Sequence, residues 1–427
     1  MLKQVELSAL EQGMFVHKLD GNWLDHPFWK SQFMIEDAKT LASIKSSKLR
    51  GAIIDTAKGR DVGAYPRPQG REATGKAGPS KAELSRMKKA LQRESVATVP
   101  VSLRKELTTA QAISDRAKSQ LGQVLLAARL GKALNVKTVE PVVADIMLSV
   151  RRNSQAFSGL MRCKLQNELM FRHALSVSAL MVSLARRMKL PEDEVRNCGL
   201  AGLLLDIGVS YLPKGIDPPH GDYRNVAPKI WKQHVMLGYR ALMNDNDLPQ
   251  SILDACLQHH ERMDGSGYPG GLEGDEISTA ARMAAVCDTF DFLLNKTNGA
   301  PALDPAAAIQ RMKTMEDAFD PDILRSFIES VGLFPVGSFV VLSSEKLAMV
   351  IDEDFNDHTK PVVQAFYCLK NQERIRPFTI KLADTNEDDA IVSVADLSEF
   401  NLPEDGQLRE MIFLTAHKVQ ESLAEGK

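Results

Sequence analysis

The chain has 427 residues, of which 44% are hydrophobic and 25% charged, and its formal net charge is −2. That composition is typical of a globular protein of two or three domains, and the near-neutral charge argues against DNA as a partner. The five cysteines form no CxxC pair, no apolar run approaches the ~20 residues of a membrane span, and the amino terminus lacks a signal-peptide core. We therefore expect a cytoplasmic protein.

The amino-terminal region predicts a small α/β domain over residues 1–57. Short strand-like pieces bounded by Gly and polar residues lie at residues 5–7, 14–18, 33–35 and 52–55, with a helix at 38–47. Residues 58–81 are rich in Gly, Pro and charge without an apolar period, which predicts a linker. Residues 82–155 have apolar residues spaced by three and four, which predicts a helical connector.

The central region, residues 156–332, continues as a helical block. Helices are predicted at residues 165–187, 192–204, 229–243, 249–260, 277–294 and 305–315. Residues 333–427 predict a short β-rich extension, with strands at 336–342, 347–351, 361–367 and 390–393 and a terminal helix at 406–424. The predicted fold is mainly α, an all-α bundle flanked by a small α/β domain and a β-rich extension.

The helical block carries residues that suit a metal centre. These are four histidines and two carboxylates in apolar helix segments: His173, His234, His259, His260, Asp206 and Asp288. A buried carboxylate is costly unless it has a partner, and imidazoles with carboxylates from different helices hold cations such as Fe, Mn or Zn. A metal pair about 4 Å apart can activate water and offset phosphate charge. The alternative is that both aspartates cap helices or pair with arginines.

A glycine-rich loop follows the paired histidines. Residues 264–278 read DGSGYPGGLEGDEIS, with five glycines in fifteen residues, which predicts a rigid turn. Glycines let a ligand approach the backbone closely, and Tyr268 offers an aromatic face and a hydroxyl. Candidate substrate-binding residues are Asp264, Gly267, Tyr268 and Pro269. The alternative is a purely structural loop.

Five segments then stand in one order along the chain. They are RHALSVSALMVSLARRM, LLLDIG, KQHVMLGYRAL, HHERMDGSGYPGGLEGDEIS and ARMAAVCDTFDF. Over about residues 156–330 the chain resembles the HD-GYP family, HD-domain metal phosphohydrolases that cleave cyclic di-GMP. Its start, EQGMFVHKLDGNWLDHPFWKSQFMI, resembles the DUF3391-type domain often found ahead of them.

The resemblance implies roles for the candidate ligands. Asp206 would bridge two metals, Fe or Mn, and would be the catalytic residue. One metal would also take His234, His259 and His260. The other would take His173, Asp288 and the histidine of the His-Asp motif, but here that motif is Leu205-Asp206. Leucine offers no lone pair, so one site is better preserved than the other.

Further departures lie on the substrate side. Val209 replaces the lysine that the resemblance places on a phosphate, and Leu169 replaces the glutamate of a third metal, with Glu168 one helical step out of register. Lys296 is the one basic residue of LLNKTNGAPAL, and YLPKGIDPPHGDYRNVAP also departs from the pattern. Substitution of residues that orient the metal ligands typically lowers metal affinity or activity about 10–100-fold, and loss of a ligand itself should lower them further.

The function that follows is a degenerate HD-GYP protein of bacterial cyclic di-GMP signalling, with low or no catalytic activity, that acts as a binder or scaffold. The alternative is an active metal-dependent phosphodiesterase producing pGpG or GMP. A third reading, a metal-stabilised structural module, leaves Tyr268 without a purpose. Expected partners are cyclic di-GMP and a diguanylate cyclase (GGDEF) domain. The cyclase domain would dock through the glycine-rich loop at residues 264–278, which we call the GYP loop. The sequence leaves open whether the chain forms a homodimer.

Overall fold

The computed structural model divides into two units, Met1–Glu94 and Ser95–Lys427, each described by itself. It describes residues 2–5, 7, 10, 12–20, 33–35, 41, 44–45, 51–56, 58–59, 100–132, 134–164, 169–213, 226–244, 247–295, 301–354, 357, 359–384 and 389–417. Most of the expected linker, Glu168, Lys296 and residues 214–225 lie outside this set.

The amino-terminal unit contains a four-stranded antiparallel sheet. Its strands are β1 (Leu2–Val5), β2 (Phe15–Asp20), β3 (Phe33–Met34) and β4 (Gly51–Asp55), in the order β1-β4-β2-β3. Buried apolar side chains, among them Met14, Val16 and Ile54, form its core. The first strand lies earlier than the predicted 5–7, because residues 2–5 pair with residues 55–52 of β4.

The second unit is built around a helical bundle. In chain order its helices are α1 (Leu103–Arg129), α2 (Glu140–Arg152), α3 (Ala156–Cys163), α4 (Leu169–Arg187), α5 (Glu192–Leu204), α6 (Pro228–Trp231), α7 (Gln233–Leu242), α8 (Gln250–Gln258), α9 (Thr279–Leu293), α10 (Pro305–Lys313) and α11 (Pro321–Val331). A 3-10 turn, Ile207–Tyr211, follows α5. The mainly helical fold class is confirmed.

Three helices differ from the sequence prediction, and one of them, α3, was not predicted as a separate helix. The predicted helix at 229–243 is divided into α6 and α7 at Lys232. The prediction did not include α11, although its start is well signalled: Pro321 opens the helix and Asp320 accepts hydrogen bonds from the amides of Asp322 (3.0 Å) and Ile323 (3.1 Å).

A five-stranded antiparallel sheet follows the bundle. Its strands are β5 (Phe339–Leu342), β6 (Lys346–Asp352), β7 (Val362–Cys368), β8 (Glu373–Lys381) and β9 (Ile391–Val394), in the order β8-β7-β6-β5-β9, and α12 (Asp405–His417) comes last. The prediction missed β8 because its sequence, ERIRPFTIK, is charged and contains Pro377. Such a strand suits a sheet edge, where its side chains are mostly exposed.

No helix among the described residues is both long enough and apolar enough to cross a membrane.

Candidate metal centre

Asp206 reaches the middle of the bundle through a close approach of two segments. The chain leaves α5 at Leu204 and enters the 3-10 turn with Asp206 as the residue before it. A β-carbon on Gly208 would collide with the carbonyl oxygen of His234 and the amide of Gly238. Glycine at 208 therefore lets this turn lie directly on α7, and that contact brings the Asp206 carboxylate to the His234 imidazole.

Three histidines gather on one side of Asp206. His234 Nε2 lies 3.2 Å from Asp206 Oδ1 and 3.3 Å from His259 Nε2. His259 Nε2 is 3.6 Å from the same oxygen, and the ligand atoms of His234, His259 and His260 all lie within 4.8 Å of one another. We call these three residues the three-histidine side. They come from α7 and from the end of α8.

Backbone carbonyls orient two of these rings. His234 Nδ1 donates to the carbonyl oxygen of Trp231 (2.7 Å), and His259 Nδ1 donates to that of Cys256 (3.0 Å). A carbonyl can only accept, so the proton of each neutral ring sits on Nδ1 and the Nε2 lone pair points at Asp206. This is how metal-binding imidazoles are held.

The inward-pointing atoms lack the partners that burial demands. His260 Nε2 is buried without a hydrogen-bond partner in the described part of the chain, and so is Asp206 Oδ1 despite its short distances to imidazole nitrogens. Acceptors facing one another in a buried space are costly unless a cation lies between them. Three imidazoles and a carboxylate suit a divalent transition metal, so the residues fit the group that the sequence predicts.

The other side of Asp206 holds His173 and two carboxylates. His173 Nε2 lies 3.2 Å from Asp288 Oδ1 and 3.5 Å from Asp206 Oδ2. The two oxygens of Asp206 thus face opposite groups, Oδ1 the three-histidine side and Oδ2 what we call the His173 side. Asp288 Oδ2 is also 3.9 Å from His260 Nδ1. The structure brings all six predicted ligands together around one carboxylate.

Asp291 is a functional residue that the sequence analysis missed. Its Oδ2 accepts a hydrogen bond from His173 Nδ1 at 2.8 Å, and its side chain is buried. A carboxylate in this place fixes the orientation of the imidazole and raises its basicity. The available signal was spacing, because Asp291 comes three residues after Asp288 on α9 and so lies near the same helix face.

Leu205 contributes nothing to the His173 side. Its side chain is 1% exposed and belongs to the main apolar core. A small recess beside His173 and Asp206 is lined otherwise by apolar residues, including Leu121 and Leu125 of α1. No other donor side chain among the residues lining this recess replaces the absent histidine.

The GYP loop is tied to the ligands by short contacts. The Tyr268 ring stacks on His260, with centroids 4.7 Å apart, and its amide donates to the carbonyl oxygen of His260 at 3.1 Å. The buried Glu261 carboxylate accepts from the amides of Gly270 (2.6 Å) and Leu272 (3.1 Å). A β-carbon on Gly267 would collide with the backbone of Glu261, so the loop approaches it as only glycine allows.

The four predicted substrate-binding residues have different surroundings. Tyr268 stacks on His260, Gly267 lies against the backbone of Glu261, and Pro269 is exposed after a cis peptide bond. The exposed Asp264 accepts hydrogen bonds from the amide (3.0 Å) and hydroxyl (2.6 Å) of Ser266. Its carboxylate therefore stabilises the loop itself, by the Asx-turn geometry common in tight turns.

The two sides differ in their electrostatics. Burial, with help from His259 and His234, holds the pKa of His260 well below its ordinary value. Burial would also lower the pKa of His173, but hydrogen bonds with Asp288 and Asp291 outweigh it and the pKa is raised well above normal. The pKa of Tyr268 is raised, chiefly by burial, so its hydroxyl stays protonated.

Two models of known protein families match the chain. Residues 2–139 match the model of a domain of unknown function, DUF3391, and residues 161–323 match the model of the HD domain. The DUF3391 match thus extends through α1, whose Leu121 and Leu125 line the recess beside His173.

Several proteins with assigned activities are similar in sequence to this chain. A cyclic di-GMP phosphodiesterase of Pseudomonas aeruginosa is 33% identical over 405 residues, which is 94% of this chain and 94% of that protein. Another, from Borreliella burgdorferi, is 26% identical over 52% of this chain and 56% of its own length. One from Thermotoga maritima is 31% identical over 37% of this chain and 44% of its own length.

Proposed function

The chain belongs to the HD-GYP family, and from this membership we propose that it binds cyclic di-GMP at the metal centre and hydrolyses it slowly or not at all. The observation that carries the proposal is the asymmetry around Asp206. Oδ1 lies 3.2 Å from His234 Nε2 and 3.6 Å from His259 Nε2, whereas Oδ2 faces His173, and the preceding residue, Leu205, is buried in the core and supplies no ligand.

The proposed cofactor is Fe or Mn, held first by His234, His259, His260 and Asp206. A bound divalent ion would neutralise phosphate charge and lower the pKa of a bound water. The chain's own groups keep the ligand geometry: carbonyls fix two imidazole tautomers, and Asp206 connects the two sides. The hydroxyl of Tyr268 stays protonated beside them.

Hydrolysis is weakened at two points. The His173 side supplies three donors, and Val209, half-buried, offers no charge where the resemblance places a phosphate-binding lysine. Phosphodiester cleavage depends on positioning and on stabilising charge in the transition state. Binding needs less than this, because a ligand can be held by one metal and neighbouring cations. Binding without fast turnover is the expected outcome.

A second candidate is an active phosphodiesterase producing pGpG or GMP. It is favoured by the relative from Pseudomonas aeruginosa, which is similar along nearly the whole chain. It is also favoured by the distances of the His173 side, where His173 Nε2 lies within 3.5 Å of both Asp206 and Asp288. Water in the place of the absent imidazole would then complete the site.

The test measures metal content, binding and turnover on the same purified protein. With Mn²⁺ or Fe²⁺ supplied anaerobically, we expect the parent to bind cyclic di-GMP in calorimetry and to form little pGpG by chromatography. Leu205→His should increase metal content and turnover. Leu204→His is the matched control, because Leu204 is equally buried but precedes the motif, so it should lose stability without gaining metal.

The outcomes separate the two candidates. Parental turnover that Asp206→Ala abolishes, and that Leu205→His does not raise, would establish the active phosphodiesterase. A parent that binds metal but not cyclic di-GMP would contradict both candidates.

The proposal extends to partners and place. The GYP loop presents exposed residues, Ser266, Pro269 and Gly270, beside the metal ligands, and such a surface could receive a diguanylate cyclase domain in the cytoplasm. Pull-down of a purified GGDEF domain by the parent, and its loss in Pro269→Glu, would test this. Sedimentation of the same samples would decide whether the chain is a homodimer.

A further inference from the structure

Lys232 lies beside the metal centre, and neither the motif nor the resemblance assigns it a role. It is the residue at which the predicted helix divides into α6 and α7. Its side chain is exposed, and its Nζ lies 4.6 Å from the centroid of the Tyr268 ring. That distance is within the range of a cation–π contact. Two residues later, His234 points at Asp206.

The contacts of Tyr268 change what this residue can do. Its ring stacks on His260 and is also contacted by the Lys232 ammonium. Both neighbours already occupy part of the ring surface on which a guanine base would stack. Tyr268 is therefore better placed to position His260 and Lys232 than to serve as a platform for a base.

Arg262, a second cation near Tyr268, is already engaged. Arg262 donates to the carbonyl oxygens of His259 (3.4 Å) and Glu261 (3.1 Å) and to the hydroxyl of Thr289 (3.3 Å). No hydrogen bond or ion pair to a described residue engages Lys232 Nζ, whose contact is with the Tyr268 ring. An ammonium group held at the rim of a metal centre by an aromatic ring is suited to binding a phosphate as a point charge.

We infer that Lys232 contacts the phosphodiester of the bound dinucleotide and supplies the positive charge that Val209 does not. Tyr268 is the positioning residue that holds Lys232 against the three-histidine side. This inference rests on the proposed function, since it concerns the ligand of the same site. It adds a binding residue that lies outside the glycine-rich loop and outside the set of metal ligands.

The test compares Lys232→Gln with Lys229→Gln, a matched control because Lys229 is also exposed and lies one helical turn earlier on α6. Titration of the metal-loaded protein with cyclic di-GMP should show Lys232→Gln weakened about 10–100-fold, the range for a hydrogen bond to a charged group. The affinity of Lys232→Gln should also depend less on salt, because one ion pair is gone. Lys232→Arg should retain most of the affinity.

Metal content serves as the second readout. It should stay at the parental level in Lys232→Gln, because the lysine holds phosphate and not metal. Equal affinities of parent, Lys232→Gln and Lys229→Gln would overturn the inference while leaving the proposed function intact. A fall in bound metal that accounts for the weaker binding would overturn it too. A metal-loaded parent that does not bind cyclic di-GMP would overturn the inference and the proposed function together.

Discussion

The two sides of Asp206 use the same kind of ligand and hold it in different ways. On the three-histidine side, backbone carbonyls accept hydrogen bonds from the Nδ1–H groups of His234 and His259. On the His173 side, the buried carboxylate of Asp291 accepts the corresponding hydrogen bond from His173 Nδ1. A carbonyl fixes which ring nitrogen carries the proton, whereas a carboxylate also raises the pKa of the ring. The nitrogens of the three-histidine side are thus oriented to bind a cation. On the His173 side, a proton on the imidazole can balance the charge of the carboxylates.

This difference explains how the chain tolerates leucine at 205. His173 lies among Asp206, Asp288 and Asp291, and hydrogen bonds with Asp288 and Asp291 raise its pKa, so a proton on its ring would compensate these carboxylates in the metal-free protein. Leu205 fills apolar core space. Leu205 therefore supplies no ligand to the His173 side at little cost in folding, whereas the three imidazoles of the other side lie together.

The largest expected effect comes from removing the group that both sides share. Loss of a residue that hydrogen-bonds to a metal ligand lowers metal affinity by up to roughly 100-fold. Asp206→Ala should lower the affinity of both sides by more than this, because it removes a ligand itself. Elemental analysis after dialysis against Mn²⁺ or Fe²⁺ checks this. Asp193→Ala on α5 is the control, since Asp193 is exposed and pairs with Arg196 three residues on. Equal metal content in both variants would contradict a bridging role.

The sequence predicted this carboxylate for a physical reason. An aspartate in the apolar segment LLLDIG needs a partner, so its burial could be inferred before any distance was known. The same argument located Asp288. The gathering of all six ligands could not be inferred from spacing, because it depends on the contact of Gly208 with the backbone of His234 and Gly238. Such contacts between distant segments leave no periodic signal in the chain.

A smaller effect should distinguish the two sides. Asp291→Asn keeps a hydrogen-bond acceptor for His173 Nδ1 but removes the charge, so metal affinity on the His173 side should fall about 10–100-fold. The three-histidine side should keep its affinity, because Asp291 contacts none of its rings in the described structure. Competitive titration with a chelating dye resolves the two classes of site. A loss of the tighter class instead would show that the sides are not independent.

The role of Asp291, like that of Lys232, was outside the reach of motif reasoning. Both act through a neighbour: Asp291 through the His173 ring and Lys232 through the face of Tyr268. The sequence marks each only as a charged residue near a ligand, and most such residues face solvent. Whether such a residue reaches the site depends on the direction of its side chain. Helix spacing alone does not give this direction for Lys232, which lies at the break between α6 and α7.

The smallest expected effect is on the pH dependence of stability in the metal-free protein. The folded pKa of His173 is raised above 6.5, so its stabilising contribution is fully present below that pH and is lost as the pH rises through the folded value. The folded pKa of His260 is lowered, so its contribution is present above pH 6.5 and is lost as the pH falls. The two sides therefore destabilise the protein in opposite pH ranges.

Thermal unfolding in EDTA at pH 5–9 separates these contributions. His173→Gln should flatten the loss of Tm on the alkaline side, and His260→Gln should flatten it on the acid side, while titrations common to all the proteins cancel in the differences. Each pKa unit corresponds to about 1.4 kcal/mol, or roughly 3–6 °C in Tm for a domain of 150–250 residues. A difference between His173→Gln and parent that stays constant across pH would show that His173 is not charged without metal. In that case the two sides would share one charge state, and a lower metal affinity measured for the His173 side would have to come from Leu205 alone.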